Sequence, residues 1–321
     1  MARIESVPAA ILSEPARELP VRSACDVAVI GGGVAGVAAA VAAARNGIQV
    51  CLVEKQCALG GLATLGNVIY WLPICDGRGR QVIGGLGEEL LRLSVADLKR
   101  NHPSAHFYGI PPCWQPGGNP AERARFRFRT AFNPSSYLFA LEELIRAAGV
   151  ALRYDTLLCA VHRQADRITH LILEDKGGRF ALAARCVIDA TGDADVCHYA
   201  GEPTESLDSN VPAGWHYLLR DGELSLEQFS RRYCPRGTRT GLDGPFFRGD
   251  DGLEVTGQIL ATRQGIRERL AELRAEHPHA DLQLFHPATI ACMRMTRRLV
   301  SNFSLAEQHV HQWFDDAIGL T

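Results

Sequence analysis

The strongest constraint on this chain is a glycine cluster set between two apolar runs. Asp26-Val27-Ala28-Val29-Ile30 leads into Gly31-Gly32-Gly33-Val34-Ala35-Gly36, an alanine-rich stretch follows, and a second apolar run extends from Gln49 to Val53. The apolar runs have the length of buried strands, and Val37 to Asn46 has the composition of a helix. Strand, turn, helix and strand joined this tightly predict a parallel pair, because a helical crossover is what parallel strands need. Val27 to Ala44 carries no charge. Its glycines and its change of period halfway fit a buried strand and helix rather than a bilayer span, so no membrane span is expected.

Gly31, Gly33 and Gly36 match G-x-G-x-x-G, in which each glycine has a separate task. The first permits a tight turn, the second lets a pyrophosphate approach bare backbone, and the third lets helix and strand pack closely. The helix start, with the amides of Val34 and Ala35, offers free N–H groups and a partial positive charge to phosphate. Glu54 ends the second strand eighteen residues after Gly36, near the position expected of the acid that holds ribose hydroxyls. Together these features predict a dinucleotide site.

The rest of the composition narrows the class. A chain of 321 residues with 46% apolar and 22% charged residues can bury a core, and its length suits about two domains. A net charge of −2 gives no global basic field, so no nucleic-acid partner is expected. The ten cysteines include no C-x-x-C and read as reduced thiols of a cytoplasmic protein. No His/Cys spacing suits a metal, and the N-terminus has no signal-peptide pattern.

Further along, Asn133-Pro134 predicts a helix start, with Tyr137, Leu138, Leu141, Leu144, Ile145 and Ala148 on one face and Gly149 at its stop. Strands are expected at Val150–Tyr154, Thr156–Val161, Ile168–Glu174, Arg179–Ala183 and Cys186–Asp189, with a hairpin turn at Asp175-Lys176-Gly177-Gly178. Helices are expected near Gly87–Leu98 and Thr256–Glu276, and after the capping boxes Ser225 to Gln228 and Ser304 to Glu307. The expected fold is α/β: a Rossmann-like dinucleotide-binding domain with a parallel sheet and an antiparallel β-meander, plus a discontinuous α+β substrate domain. The expected partition is an N-terminal arm over 1–22, a cofactor domain over 23–70 and 133–203, and a substrate domain over 71–132 and 204–321.

Two further patches favour FAD over NAD. Gly60-Gly61, followed by Leu62-Ala63, offers a second stretch of bare backbone. Val187 to Asp189 is an apolar run entering Ala190-Thr191-Gly192-Asp193, which would bring Thr191 and Gly192 beside the first turn. At these residues the chain resembles the FAD-dependent oxidoreductases of the glutathione-reductase-like two-domain flavoprotein superfamily. Fumarate reductase flavoprotein subunits and thiazole-forming enzymes are more distant relatives. The resemblance implies that the turn amides and Gly60 to Ala63 hold the pyrophosphate of FAD, Glu54 the adenosine ribose with Lys55 beside it, and that Thr191, Gly192 and Asp193 close the other side. It also implies that the strand from Thr156 passes the adenine with its backbone, and that the reaction is flavin-mediated hydride or electron transfer on a small organic molecule.

The chain departs from that pattern twice. No cysteine pair follows Gly60-Gly61, which argues against dithiol chemistry. After Thr191 there is no further apolar strand, Gly-Arg or Gly-Asp turn and alanine-rich helix of the kind that lies under the flavin ring. A truncated or split flavoprotein needing a missing segment, a partner subunit or a homo-oligomer is therefore a rival expectation. Arg294, Arg297 and Arg298, expected near the start of a last helix, resemble a basic segment that could fork a substrate carboxylate. They could equally be salt-bridged surface residues. Arg123, Arg125, Arg127 and Arg129 alternate with Ala124, Phe126, Phe128 and Thr130, a two-sided strand pattern read as a solvated edge or as a patch for an anionic partner. An RNA-modifying flavoprotein with that strand as its footprint is the remaining rival. His309 and His311, two apart on the expected helix, cannot face one ligand.

Overall fold

The computed structural model describes residues 12–98, 109–304, 306–309, 312 and 314. The expectations for His311 and for the first eleven residues of the arm fall outside them. In chain order the elements are β1 (Val21–Ile30), α1 (Val34–Arg45), β2 (Val50–Val53), β3 (Tyr70–Trp71), α2 (Gly85–Ser94), β4 (Thr130–Ala131), α3 (Pro134–Ala147), β5 (Ala151–Arg153), β6 (Leu157–Gln164), β7 (Arg167–Asp175) and β8 (Gly178–Asp189). There follow α4 (Asp195–Tyr199), β9 (Thr204–Ser206), β10 (Ala213–Arg220), β11 (Glu223–Ser230), α5 (Gly252–Glu276), β12 (Leu282–Pro287) and β13 (Arg297–Leu299).

One six-stranded sheet organises the molecule, in the order β5-β2-β1-β8-β7-β6. The first four strands are mutually parallel, and β7 and β6 continue as the antiparallel meander. The alternation of β1 explains its two-sided burial. Val27 and Val29 join Val37, Val41, Leu52, Tyr137, Leu141 and Ile145 in a core beneath α1 and α3. Ala28 and Ile30 face the other way, into a second core with Leu158, Leu171, Leu173, Phe180 and Leu182 of the meander. Asn133 caps α3 by accepting from the N–H groups of Ser135 and Ser136, with Pro134 in the first turn and Gly149 in the left-handed region just past its end (φ +73°).

A second layer is the antiparallel sheet β11-β10-β12, with α5 packed against it. Asp251 caps α5 through the N–H groups of Leu253 (2.9 Å) and Glu254 (3.0 Å). Among the described residues, no helix is long and apolar enough to cross a membrane.

Several expectations are corrected. The strand expected from Asp26 begins at Val21, so the end of the arm lies in the sheet. Arg22 reaches Asp175 at 3.1 Å and the Gly177 carbonyl at 2.8 Å, which ties it to the β7–β8 hairpin. Arg179–Ala183 and Cys186–Asp189 are one continuous strand, β8, which leaves β7 and runs on beside β1. The Ser225 to Gln228 box lies inside β11 instead of opening a helix. Asp221 and Gly222 both adopt positive φ (+50° and +85°), the two-residue geometry that folds a strand back on its neighbour. The alternating arginines form no strand. Arg123 lies over Trp114, Arg125 over Phe126 and Arg129 over Tyr70, at 4.9, 5.1 and 5.8 Å from the ring centroids. The segment expected to begin the last helix is β13, paired with β9, and among the described residues Ser304 to Glu307 leads into a 3-10 turn, Glu307–His309.

Tyr137 packs edge-on to Phe132, with centroids 5.0 Å apart, and its buried hydroxyl has no hydrogen-bond partner. Burial pushes its phenol well above the ordinary range. Tyr137→Phe should leave stability unchanged or raise it by about 1 kcal/mol, whereas Tyr137→Ala should cost about 3–5 kcal/mol. Urea unfolding of the two variants checks this.

Candidate functional site: a dinucleotide cradle

The glycine turn lies at the carboxyl ends of β1, β2 and β8, where parallel sheets place their ligands. Gly31 donates its N–H to Val53 O at 2.8 Å, and Ala190 donates to Ile30 O at 2.8 Å, so the turn is held between the ends of β2 and β8. Gly31 has φ +103°, and a Cβ there would lie 2.3 Å from Ala190 O and 2.9 Å from Thr191 Cα. A Cβ on Gly36 would stand 1.8 Å from Gly31 O. Neither position tolerates a side chain.

Gly33 is different. A Cβ built on it meets no atom within 4 Å, and no side chain caps the helix that starts at Val34. The N–H of Val37 reaches Gly33 O at 2.9 Å, while those of Val34, Ala35 and Gly36 precede the first helical acceptor. Open space above bare backbone, at the positive end of a 12-residue helix, fits a pyrophosphate.

Glu54 is buried, and both its oxygens are oriented by backbone: Oε2 accepts from Gly32 N at 2.6 Å and Oε1 from Gln56 N at 2.7 Å. Each oxygen keeps acceptor capacity for a ribose hydroxyl. The importance of Gly32 was not legible in the motif, where it fills a variable position. A Cβ on it would lie 2.7 Å from Leu59 Cδ2 and 3.0 Å from Glu54 Oε2. The backbone after β5 passes close by, with Thr156 N on Glu54 O at 3.2 Å.

The second glycine pair stacks on the first turn. Gly60 donates to Gly32 O at 2.8 Å and forms a parallel bridge with Gly33, and a Cβ on Gly61 would come within 3.4 Å of Gly33 Cα. Gly60 and Gly61 both have positive φ, and Gly61–Ala63 forms a 3-10 turn that includes Leu62. On the other side, Thr191 is locked by Asp189, whose Oδ1 accepts from Thr191 N at 3.1 Å and Thr191 Oγ1 at 2.7 Å. Thr191 Oγ1 accepts in turn from Asp193 N and Asp195 N. Asp189 is the residue that shapes this loop, and a bare carboxylate at a strand end gave no sign of it. Gly192 is exposed with φ +80°. Lys55 Nζ approaches Asp193 Oδ2 at 3.9 Å and joins the two sides. Burial raises the Asp193 carboxyl above its ordinary value, with Lys55 opposing the shift.

The three arginines near the C-terminus do not converge. Arg294 lies over Tyr233 at 4.5 Å, Arg297 bridges Asp195 (3.0 Å) and Asp250 (3.7 Å), and Arg298 pairs with Glu205. Each is occupied by a protein group, so they do not form a carboxylate fork. Among the described residues no group of three or more His, Cys, Asp or Glu could hold a metal ion.

Two glycines separate the fold from the ligand. Gly33→Ala has room and a permissive backbone (φ −63°), so thermal stability without ligand should be unchanged. Dinucleotide affinity should nevertheless fall by about tenfold or more, a loss of about 1.4 kcal/mol. Gly36→Ala should destabilise the fold itself by about 1–3 kcal/mol, because its methyl group meets the Gly31 carbonyl. Thermal melts and calorimetric titration with FAD check both.

The model of the family described as FAD dependent oxidoreductase matches residues 26–211, more than half of the chain. A thioredoxin reductase of Ureaplasma parvum serovar 3 is 41% identical over 71 residues, which are 22% of this chain and 23% of that protein. Among solved structures, CabE, an aromatic hydroxylase from angucycline biosynthesis, is 15% identical with a TM-score of 0.43, covering 82% of this chain and 52% of its own. The THI4 protein of Thermovibrio ammonificans is 17% identical with a TM-score of 0.38, covering 58% of this chain and 67% of its own. The chain thus spans under a quarter of the reductase and about half of the hydroxylase. The family match, over the segment that contains both glycine turns, Glu54 and the Thr191 loop, shows that this chain belongs to the FAD-dependent oxidoreductases, whose cofactor is FAD.

Proposed function

We propose that the chain is a cytoplasmic flavoprotein that oxidises or reduces a small organic substrate. The observation that carries this reading is the uncapped start of α1 beneath the open space at Gly33, beside a ribose acid oriented by Gly32. Bound FAD would supply the hydride or electron chemistry. The protein's own residues position it: the amides of Val34 and Ala35 take the pyrophosphate, Glu54 the ribose hydroxyls, and Gly60-Gly61 lets the chain lie flat against the cofactor. The ten unpaired cysteines fit a reducing compartment.

The second layer is fastened to the end of the Gly60-Gly61 loop. Thr289 donates its N–H and Oγ1 to Leu65 O at 2.9 and 3.2 Å, and Ala288 N bonds Trp215 O at 3.1 Å. Beside this junction lies a narrow recess lined by Trp215, Gln258, Thr262, Arg263 and Cys292, among others. We assign the substrate to this side of the molecule.

One observation favours the rival reading of a chain completed by another segment or subunit. Past Ala183, β8 is paired with β1 on one edge and, among the described residues, with no strand on the other. A strand added there would extend the parallel sheet next to the Thr191 loop. Equilibrium titration of the purified chain with FAD and with ADP separates the two readings. A chain that holds the whole cofactor binds FAD at least about tenfold more tightly than ADP, a difference of about 1.4 kcal/mol. Equal affinities support the completed-chain reading, and no affinity for either ligand overturns both.

A further inference from the structure

The arginine-rich segment plays no part in the cradle, and its surroundings give it a use of its own. Asp76-Gly77-Arg78-Gly79-Arg80 is a tight loop closed by Asp76 N on Arg80 O at 3.0 Å. The exposed Asp76 carboxylate accepts from the N–H groups of Arg78 (2.8 Å) and Arg80 (3.0 Å), which hold it below its ordinary range. This loop packs against the second arginine run: a Cβ on Gly77 would lie 3.2 Å from the Arg127 guanidinium, and one on Gly79 3.2 Å from Ala124 N. Arg78, Arg80, Arg125, Arg127 and Arg129 are therefore gathered on one surface, all exposed, and among the described residues none forms an ion pair. Residues 71–132 contain nine Lys and Arg against five Asp and Glu, in a chain whose overall charge is −2.

Large apolar side chains are exposed on the same two segments: Leu72 (73%), Val82 (54%), Ile83 (45%) and Phe126 (44%). Backbone bonds hold them close to the arginines, with Val82 N and Ile83 N on Ile74 O and Ile74 N on Phe128 O. Exposed aliphatic side chains beside guanidinium groups that make no ion pair are suited to a surface that is anionic outside and apolar just beneath. A second copy of this chain would set like charges against each other in an isologous contact. An RNA strand would use stacking platforms, and Phe126 is the one exposed aromatic ring here among the described residues. We propose that the loops 72–83 and 123–129 form a docking surface for an anionic phospholipid bilayer, with the arginines on lipid phosphates and Leu72, Val82, Ile83 and Phe126 inserted among the acyl chains. This attachment is peripheral and does not depend on flavin binding.

Flotation of the full chain with vesicles tests it. Vesicles of phosphatidylcholine mixed with phosphatidylglycerol should capture the protein, vesicles of phosphatidylcholine alone should not, and high salt should release it. A basic residue near an anionic surface contributes about fivefold in affinity, so R78Q/R80Q/R125Q should weaken capture by about 100-fold. L72S/I83S should also weaken it, by about tenfold or more, without altering the salt dependence. Far-UV circular dichroism and FAD titration should be unchanged in both variants. In a separate Phe126→Trp variant, the added indole emission should shift to the blue on anionic vesicles. Equal capture by neutral and anionic vesicles, or no emission shift, would overturn the proposal. So would capture by tRNA that L72S/I83S leaves unchanged, which would assign the surface to nucleic acid.

Discussion

The structure depends on a steric condition at the first crossover. Three segments meet at Gly31: the end of β1, the start of α1 and the loop leaving β8. The Gly31 carbonyl faces Gly36 at a distance that leaves no room for a methyl group, and Ala190 lies against Gly31 from the other side. This closeness aims the start of α1 at the carboxyl ends of the parallel strands instead of past them. The acid at the end of β2 meets the same turn through Gly32 N–H, so the proposed phosphate and ribose elements are joined in one unit. The second glycine pair is fastened to that unit by the Gly60–Gly32 bond. A displacement anywhere in the turn would thus be felt at every contact a dinucleotide makes.

What could be read from the sequence is what local backbone demands dictate. G-x-G-x-x-G, the Asn133-Pro134 cap, the short hairpin after Asp175 and the apolar strands each carry their signal within a few residues. The parallel order of the first strands follows from one alanine-rich crossover. The features that escaped depend on partners far along the chain. β13 has three residues and exists because Thr204–Ser206 lies beside it, so no period could announce it. Ser225 to Gln228 satisfies the rule for a helix start, but Asp221-Gly222 is a stronger local instruction that folds the segment back on β10. The alternating arginines imitate a strand. With no neighbouring strand among the described residues to pair with, the side chains of Arg123, Arg125 and Arg129 settle on Trp114, Phe126 and Tyr70 instead.

The candidate site divides along the same line. The candidate ligand-facing elements, Gly33, Glu54, Gly60-Gly61 and Thr191-Gly192, were legible because each breaks an otherwise regular pattern. Their supports, Gly32 and Asp189, were not, since a glycine at a variable position and an acid at a strand end look ordinary until their hydrogen bonds are seen. The substrate side is harder still. As proposed, it is assembled from β10, α5 and the segment after β12, which are joined to the glycine-turn region by backbone bonds such as those of Thr289 to Leu65. Backbone bonds leave no residue signature.

The central claim is that the amides at the start of α1 grip a diphosphate, and the amide resonances of the folded chain test it most directly. On titrating nitrogen-15-labelled protein with ADP, the account predicts the largest shifts at Gly33, Val34 and Ala35, with smaller ones at Gly32 and Gln56, whose N–H groups hold Glu54. Shifts centred instead on the open groove lined by Arg22, Arg153 and Lys176, with the Gly31–Gly36 turn unmoved, would contradict it.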